Sequence, residues 1–140
     1  MHYGEFIASF LIDLQRLFRS DISIKDMTYS QCLAIVSIPH DGIEMSELAR
    51  KLGLDNSTIT RLIIRLEKKD WVKRAKSRTD KRAIKIFLKT RGLKSQRHIE
   101  KKIQVIGEKI KIEIDDEKRE SLLENLYVFQ WGLKKTFIKK

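Results

Sequence analysis

Both ends of the chain show apolar residues at three- and four-residue spacing, the pattern of amphipathic helices. The stripe in the first predicted helix, between Tyr3 and Arg19, consists of Phe6, Ile7, Phe10, Leu11, Leu14, Leu17 and Phe18. A long helix is predicted from Thr90 onward, with Ile99, Ile103, Ile106 and Ile110 on its apolar side. A last helix is predicted after Asp115-Asp116, and it carries Leu122, Leu123, Leu126, Tyr127, Phe129, Leu133 and Phe137.

The segment that follows the first helix is predicted to hold two short helices with a short strand between them. Hydroxyl residues at 28–30 can cap the first of these helices. A strand is predicted over Ile43-Glu44-Met45, and Ser46 is predicted to cap the second helix, Glu47–Leu52. Gly53 ends this helix, because glycine readily adopts the left-handed conformation that closes a helix.

The next predicted helix has the clearest pattern in the sequence. Asp55 can serve as its N-cap. Its apolar residues occupy positions i, i+3, i+4 and i+7, namely Ile59, Leu62, Ile63 and Leu66. The opposite face is polar and cationic, with Asn56, Ser57, Thr60, Arg61, Arg65 and Lys68. We therefore predict a helix with one face in the core and the other available to a polar partner.

Two strands are predicted after this helix, because β-branched and aromatic residues alternate with cations. They cover Trp71-Val72-Lys73-Arg74 and Ala83–Leu88. The hairpin tip between them, residues 75–82, is rich in Lys and Arg.

The positive charge is concentrated in the middle of the chain. The 140 residues carry a net charge of +11, and residues 44–97 hold 17 Lys and Arg against 6 Asp and Glu, which accounts for all of that excess. The segments on either side are balanced. Such segregation is typical of a nucleic-acid-binding surface, whereas a merely solubilising composition would spread its cations evenly.

Two short helices joined by a tight turn and followed by a basic hairpin are the elements of a winged helix-turn-helix. The fold class predicted is thus mainly α with a small β-hairpin wing. A DNA major groove admits one helix, while a wing tip can insert an Arg into the minor groove. The residues that we predict to contact DNA are Asn56, Ser57, Thr58, Thr60, Arg61, Arg65, Arg78, Asp80 and Arg82.

The central residues also resemble the MarR family of regulators. The resemblance rests on Leu48-Ala49, Leu52, Ser57-Thr58-Ile59-Thr60-Arg61, Leu66-Glu67, Trp71-Val72-Lys73-Arg74, Asp80-Lys81-Arg82, Leu88, Thr90 and Gly92. It extends from about Tyr29 to Gly92, and the outer helices match in length and pattern only. The sequence departs from the family pattern at two positions. Asp70 stands where a Gly is usual, and Lys89 precedes Thr90 where the family pattern has Leu and Thr adjacent. Asp is one of the residues that tolerate the left-handed conformation required at such a helix end.

The resemblance implies a function and an assembly. It implies a homodimer on a pseudo-palindromic operator in double-stranded DNA, most often acting as a repressor. It assigns Arg82 to the minor groove, with Asp80 holding the wing arginine in place. It further implies a single MarR-like domain over 1–140, with the DNA-binding lobe at 28–92 and a helical dimerisation region at 1–27 and 93–140. A small anionic or aromatic effector is an expected ligand of the family.

Other functions are less well supported by the sequence. The alternative is a winged-helix module that binds RNA or a protein partner. A protein-interaction module would not require a cationic helix face and a basic wing. The sequence does not favour an enzyme, because it shows no nucleophile with a base, no paired carboxylates and no Gly-rich phosphate loop. Neither a metal nor another cofactor is expected, and Cys32 is interpreted as a packed thiol. Without a long apolar run or a cationic leader, we expect a cytoplasmic protein with no membrane partner.

Overall fold

A computed structural model of the chain describes residues 2–22 and 24–138, which form six helices and three strands. In order, the elements are α1 (Tyr3–Asp21), α2 (Tyr29–Ser37), β1 (Ile43–Glu44), α3 (Met45–Leu52), α4 (Asn56–Lys68), β2 (Val72–Lys76), β3 (Ile84–Leu88), α5 (Thr90–Ile112) and α6 (Asp116–Ile138). They divide into two compact units, Met1–Ile103 and Gln104–Lys140. The predicted mixture of helices with a small β wing is confirmed.

Local sequence signals place several helix ends where they were predicted. Thr28 forms a capping box with Gln31, in which each side chain accepts a hydrogen bond from the other residue's backbone N–H. Asp55 caps α4 by accepting from the Thr58 N–H at 2.7 Å. Gly53 ends α3 in the left-handed region, with φ of 68°.

The predicted start of α3 was wrong by two residues. Ser46 does not cap this helix, because α3 already begins at Met45, with Glu44 in the N-cap position. The physical reason is the length of β1, which pairs with β3 only through Ile43 and Glu44. The chain turns directly from this pairing into the helix, so Met45 is helical rather than extended.

The three strands form one antiparallel sheet in the order β1-β3-β2. The predicted hairpin is confirmed, but Trp71 precedes β2 because its N–H donates to the Leu66 carbonyl and closes the end of α4. Asp70 adopts φ of 66°, the left-handed conformation that this helix end needs. The departure at Asp70 from the family pattern is therefore accommodated by its backbone. Lys89, the other departure, forms an ion pair with Asp70.

The core of the first unit is built from the apolar faces of these short elements. Its largest fully buried side chains are Trp71, Ile35, Ile38, Leu48, Ile59, Ile63, Leu66, Ile86, Ile99 and Val72. All four apolar positions predicted for α4 are buried. Gln96 of α5 is buried among them, and its amide donates to the carbonyls of Ile35 and Ile38 at 2.9 and 2.8 Å. This residue attaches the start of α5 to the end of α2.

The terminal helices leave much apolar surface exposed. In α1, the exposed apolar side chains are Tyr3, Phe6, Ile7, Phe10, Leu11 and Ile12. In α6, they are Leu123, Leu126, Tyr127, Val128, Trp131, Leu133, Phe137 and Ile138. Within the second unit, the end of α5 and the start of α6 also line an apolar groove of about 580 Å³. No helix in the described part of the chain is both long enough and apolar enough to span a membrane.

Candidate nucleic-acid interface

The outward face of α4 presents polar side chains from its first turns onward. Asn56, Ser57, Arg61 and Arg65 are exposed, and Thr58 and Thr60 are half-buried. The Thr60 hydroxyl donates to the Asn56 carbonyl at 2.7 Å and lies 3.8 Å from the sulfur of Met45. Its proton is thus used within the helix, which leaves its oxygen as an acceptor for a partner.

Asp55 organises the start of this helix. Its carboxylate accepts from the Thr58 N–H and from the Ser57 hydroxyl at 3.0 Å. Hydrogen bonding from Thr58, then from Ser57, together with the charge of Arg61, holds the pKa of Asp55 below its usual value. The carboxylate therefore stays ionised at neutral pH and fixes the turn that carries Asn56.

The far end of α4 is attached to the sheet by an ion pair. Arg74 of β2 donates through Nε and Nη2 to the two carboxylate oxygens of Glu67, at 3.2 and 3.0 Å. A two-point contact of this kind fixes the relative orientation of two planar groups. It joins the helix and the hairpin, which we call the wing and define as residues 72–88.

The tip of the wing is held by its own hydrogen bonds. The Asp80 carboxylate accepts from the backbone N–H of Arg82 at 3.0 Å, so it shapes the turn rather than pairing with the guanidinium. Ser77 is buried, and its N–H donates to the Ala83 carbonyl at 3.0 Å. Its hydroxyl contacts the hydroxyl of Thr79. The exposed Arg82 and Arg78 therefore project from an ordered tip.

A groove between α4 and the wing brings the two predicted surfaces together. It has a volume of about 310 Å³ and is lined by Met45, Ser46, Asn56, Ile59, Thr60, Asp80, Arg82, Ala83 and Ile84. Of the predicted contact residues, Asn56 and Thr60 meet Asp80 and Arg82 there. The other predicted residues lie outside its lining: Ser57, Thr58, Arg61, Arg65 and Arg78.

Sequence reasoning missed two participants in this site. Met45 was assigned to a strand, although its sulfur lies beside Thr60 in the groove. Ser77 was included in the wing tip without a role, yet it anchors that tip. A single small polar residue among cations was the only sequence signal for Ser77.

Across residues 2–22 and 24–138, no cluster of three or more His, Cys, Asp or Glu side chains could hold a metal ion. Cys32 is buried in α2, in agreement with its interpretation as a packed thiol. Burial raises the pKa of Cys32 and outweighs the opposing charge of Lys102, so the thiol stays protonated near neutral pH.

Comparison with known proteins agrees with this architecture. Residues 28–84 match the MarR family. The transcriptional regulator TtmR of Methylorubrum extorquens is 38% identical over 84 residues, which span 58% of this chain and 43% of TtmR. The chain thus matches less than half the length of that relative.

Solved structures show the same fold. Wild-type MarR from E. coli superimposes with a TM-score of 0.79 at 24% identity, covering 92% of this chain and 96% of MarR. The S. aureus MepR-DNA complex gives a TM-score of 0.75 at 19% identity, covering 95% of this chain and 99% of MepR. The fold and the groove define a winged helix-turn-helix protein. Within that class, residues 28–84 are similar to the MarR family, a match that spans less than half of this chain.

Proposed function

We propose that the protein is a transcriptional regulator that binds double-stranded DNA sequence-specifically and represses transcription. It acts as a homodimer on a pseudo-palindromic operator. The observation that carries this proposal is the groove shared by α4 and the wing, because Asn56 and Thr60 line it together with Arg82. The groove thus joins groups that can read base edges to a cation that can enter the minor groove.

Each part of this surface fits a different part of the duplex. Asn56 has an amide that can form two hydrogen bonds to an adenine edge, and Arg61 can do the same with guanine in the major groove. The exposed Arg82 projects from a tip that Ser77 and Asp80 keep ordered. The narrow minor groove has an enhanced negative potential that attracts such an arginine.

The exposed helices at both ends of the chain support a homodimer. Apolar side chains along α1 and α6 stay exposed in the single chain, among them Phe10 and Trp131. Many exposed apolar side chains along one helix normally mark a protein interface. We propose that both helices contribute to the dimer, and that a small anionic or aromatic effector relieves DNA binding.

The alternative of an RNA-binding or protein-binding module is less well supported. MepR, which has the same fold, was solved as a DNA complex. A protein-binding module would also gain nothing from confining the entire positive excess to residues 44–97.

Two arginine substitutions test the proposal in gel shifts with a duplex that the parent protein enriches from a randomised library. Arg61→Ala should cost about 1 to 3 kcal/mol of binding free energy and relax the preference at one base position per half-site. Arg82→Ala should weaken binding more uniformly, with a dependence on minor-groove width. Arg16→Ala, at an exposed position in α1, is the matched control and should bind as the parent does. Parent-like binding by both interface variants, or equal competition by tRNA, would contradict the proposal.

A further inference from the structure

The wing has a second cationic surface on the face of the sheet opposite to Ile86. In the pairing of β2 with β3, Lys73 lies opposite Phe87 and Ala75 lies opposite Lys85. Because directly paired residues share a face, these four side chains point the same way. Ile86 points the other way and is buried in the core. We call this surface the outer wing face.

An aromatic ring in a fixed position forms the floor of the outer wing face. The ammonium groups of Lys73 and Lys85 lie 5.7 and 5.4 Å from the centre of the Phe87 ring. Gly42 lies against this ring, where a Cβ would approach its atoms to 2.7 Å. Gly42 also has φ of 84°, which favours glycine. The backbone at Gly42 and the two lysines thus hold the ring between them.

A hollow of about 510 Å³ lies over this floor. Its lining comprises Lys73, Ala75, Lys76, Ser77, Arg78, Thr79, Lys85 and Phe87. Four of these lining residues are cations, Lys73, Lys76, Arg78 and Lys85, and none is an acid. Glu44 lies opposite Lys85 in the sheet and therefore shares its face. The hydroxyl of Ser77 donates to Glu44 at 3.5 Å. With four cations in its lining and one acid beside them, the hollow keeps an excess of positive charge.

We propose that the outer wing face binds backbone phosphates of the duplex beyond the bases that α4 and the wing tip recognise. The inference rests on the proposed function. Arg78 connects the outer wing face to the predicted DNA-contacting tip, because it belongs to that tip and also lines the hollow. Lysine ammonium groups are mobile point charges that suit phosphates, whereas base recognition favours planar groups. The outer wing face thus adds affinity without adding sequence preference.

The test compares two duplexes. The short duplex contains only the base pairs that the parent protein enriches from a randomised library, and the long duplex adds ten base pairs of unselected sequence at each end. The variant Lys73→Gln/Lys85→Gln removes two charges per protomer. Lys25→Gln/Lys101→Gln is the control of equal charge change, at exposed positions between α1 and α2 and in α5. Thermal unfolding of both variants checks that the fold is intact.

On the long duplex, the Lys73/Lys85 variant should bind about 10-fold more weakly than the parent. The slope of log affinity against log salt should fall in magnitude by about 3 to 4 for a dimer, at about 0.9 per lost phosphate contact. On the short duplex it should match the parent and the control. Equal losses on both duplexes, or none on either, would overturn the inference while leaving the proposed function intact. If the parent itself prefers neither duplex to a scrambled sequence, the proposed function fails and the inference with it.

Discussion

Asp55 links helix formation to the position of the candidate contact residues. Its carboxylate accepts from the Thr58 N–H and the Ser57 hydroxyl, so the first turn of α4 has a defined geometry. Asn56, which lines the groove, lies in that turn. Asp55 therefore stabilises α4 as its N-cap and also positions Asn56 for binding.

The acid stability of the fold should depend on Asp55. The pKa of Asp55 is lowered in the folded protein, so its ionised form contributes stability above the unfolded pKa. That contribution is lost as the pH falls through the folded pKa. Asp55→Asn keeps an oxygen acceptor but does not titrate.

We expect the unfolding midpoint of the parent to fall relative to that of Asp55→Asn between about pH 6 and about pH 3. Thermal unfolding of the two proteins across this range measures the difference. Asp55→Ala, which lacks the cap, should be less stable than the parent at neutral pH. If the difference in unfolding midpoint between the parent and Asp55→Asn stays constant with pH, this account is contradicted.

At the scale of elements, the sequence pattern predicts the helix faces and helix ends that depend on interactions between nearby residues. The apolar face of α4, its cap at Asp55 and the end of α3 at Gly53 all follow from residues within a few positions of each other. The ends of the strands could not be predicted in the same way, because they depend on pairing with strands that are distant in the sequence. The Trp71 N–H closes α4 instead of joining the sheet, and β1 stops at Glu44 because its pairing with β3 stops there.

The candidate site was predictable to a similar extent. The polar face of α4 and the cations of the wing tip are visible in the sequence, but the groove that joins Asn56 to Arg82 depends on tertiary packing. Gln96 was also missed as the connection between α5 and α2. It falls on the same stripe as Ile99 and Ile103, so a polar residue in an apolar series was its signal.

Gln96→Met should destabilise the first unit. The substitution keeps a side chain of similar size but leaves the buried Ile38 carbonyl without the amide that donates to it. A buried acceptor left without a donor costs about 1 to 3 kcal/mol. Gln104→Met, at an exposed position of α5, is the matched control and should change stability by no more than about 0.5 kcal/mol. Denaturant unfolding measures both values, and equal effects would refute the role assigned to Gln96.

At the scale of the whole molecule, charge and apolar surface are segregated along the chain. Residues 44–97 carry all of the net charge of +11, whereas the exposed apolar side chains are concentrated in α1 and α6. One region is therefore suited to an anionic polymer and the others to a protein interface. This separation lets a dimer place two basic lobes on one duplex, with half-sites about one helical turn, or about 10 base pairs, apart.

The most direct test of DNA binding by the basic lobes is the salt dependence of affinity on the enriched duplex. If each half of a dimer neutralises about three to five phosphates, log affinity should fall against log salt with a slope of roughly −5 to −9. Fluorescence anisotropy titrations from low to moderate salt measure this slope. A slope in that range, lost when five base pairs are inserted between the half-sites, is the result we predict. A slope near zero, or affinity indifferent to the insertion, would contradict the account.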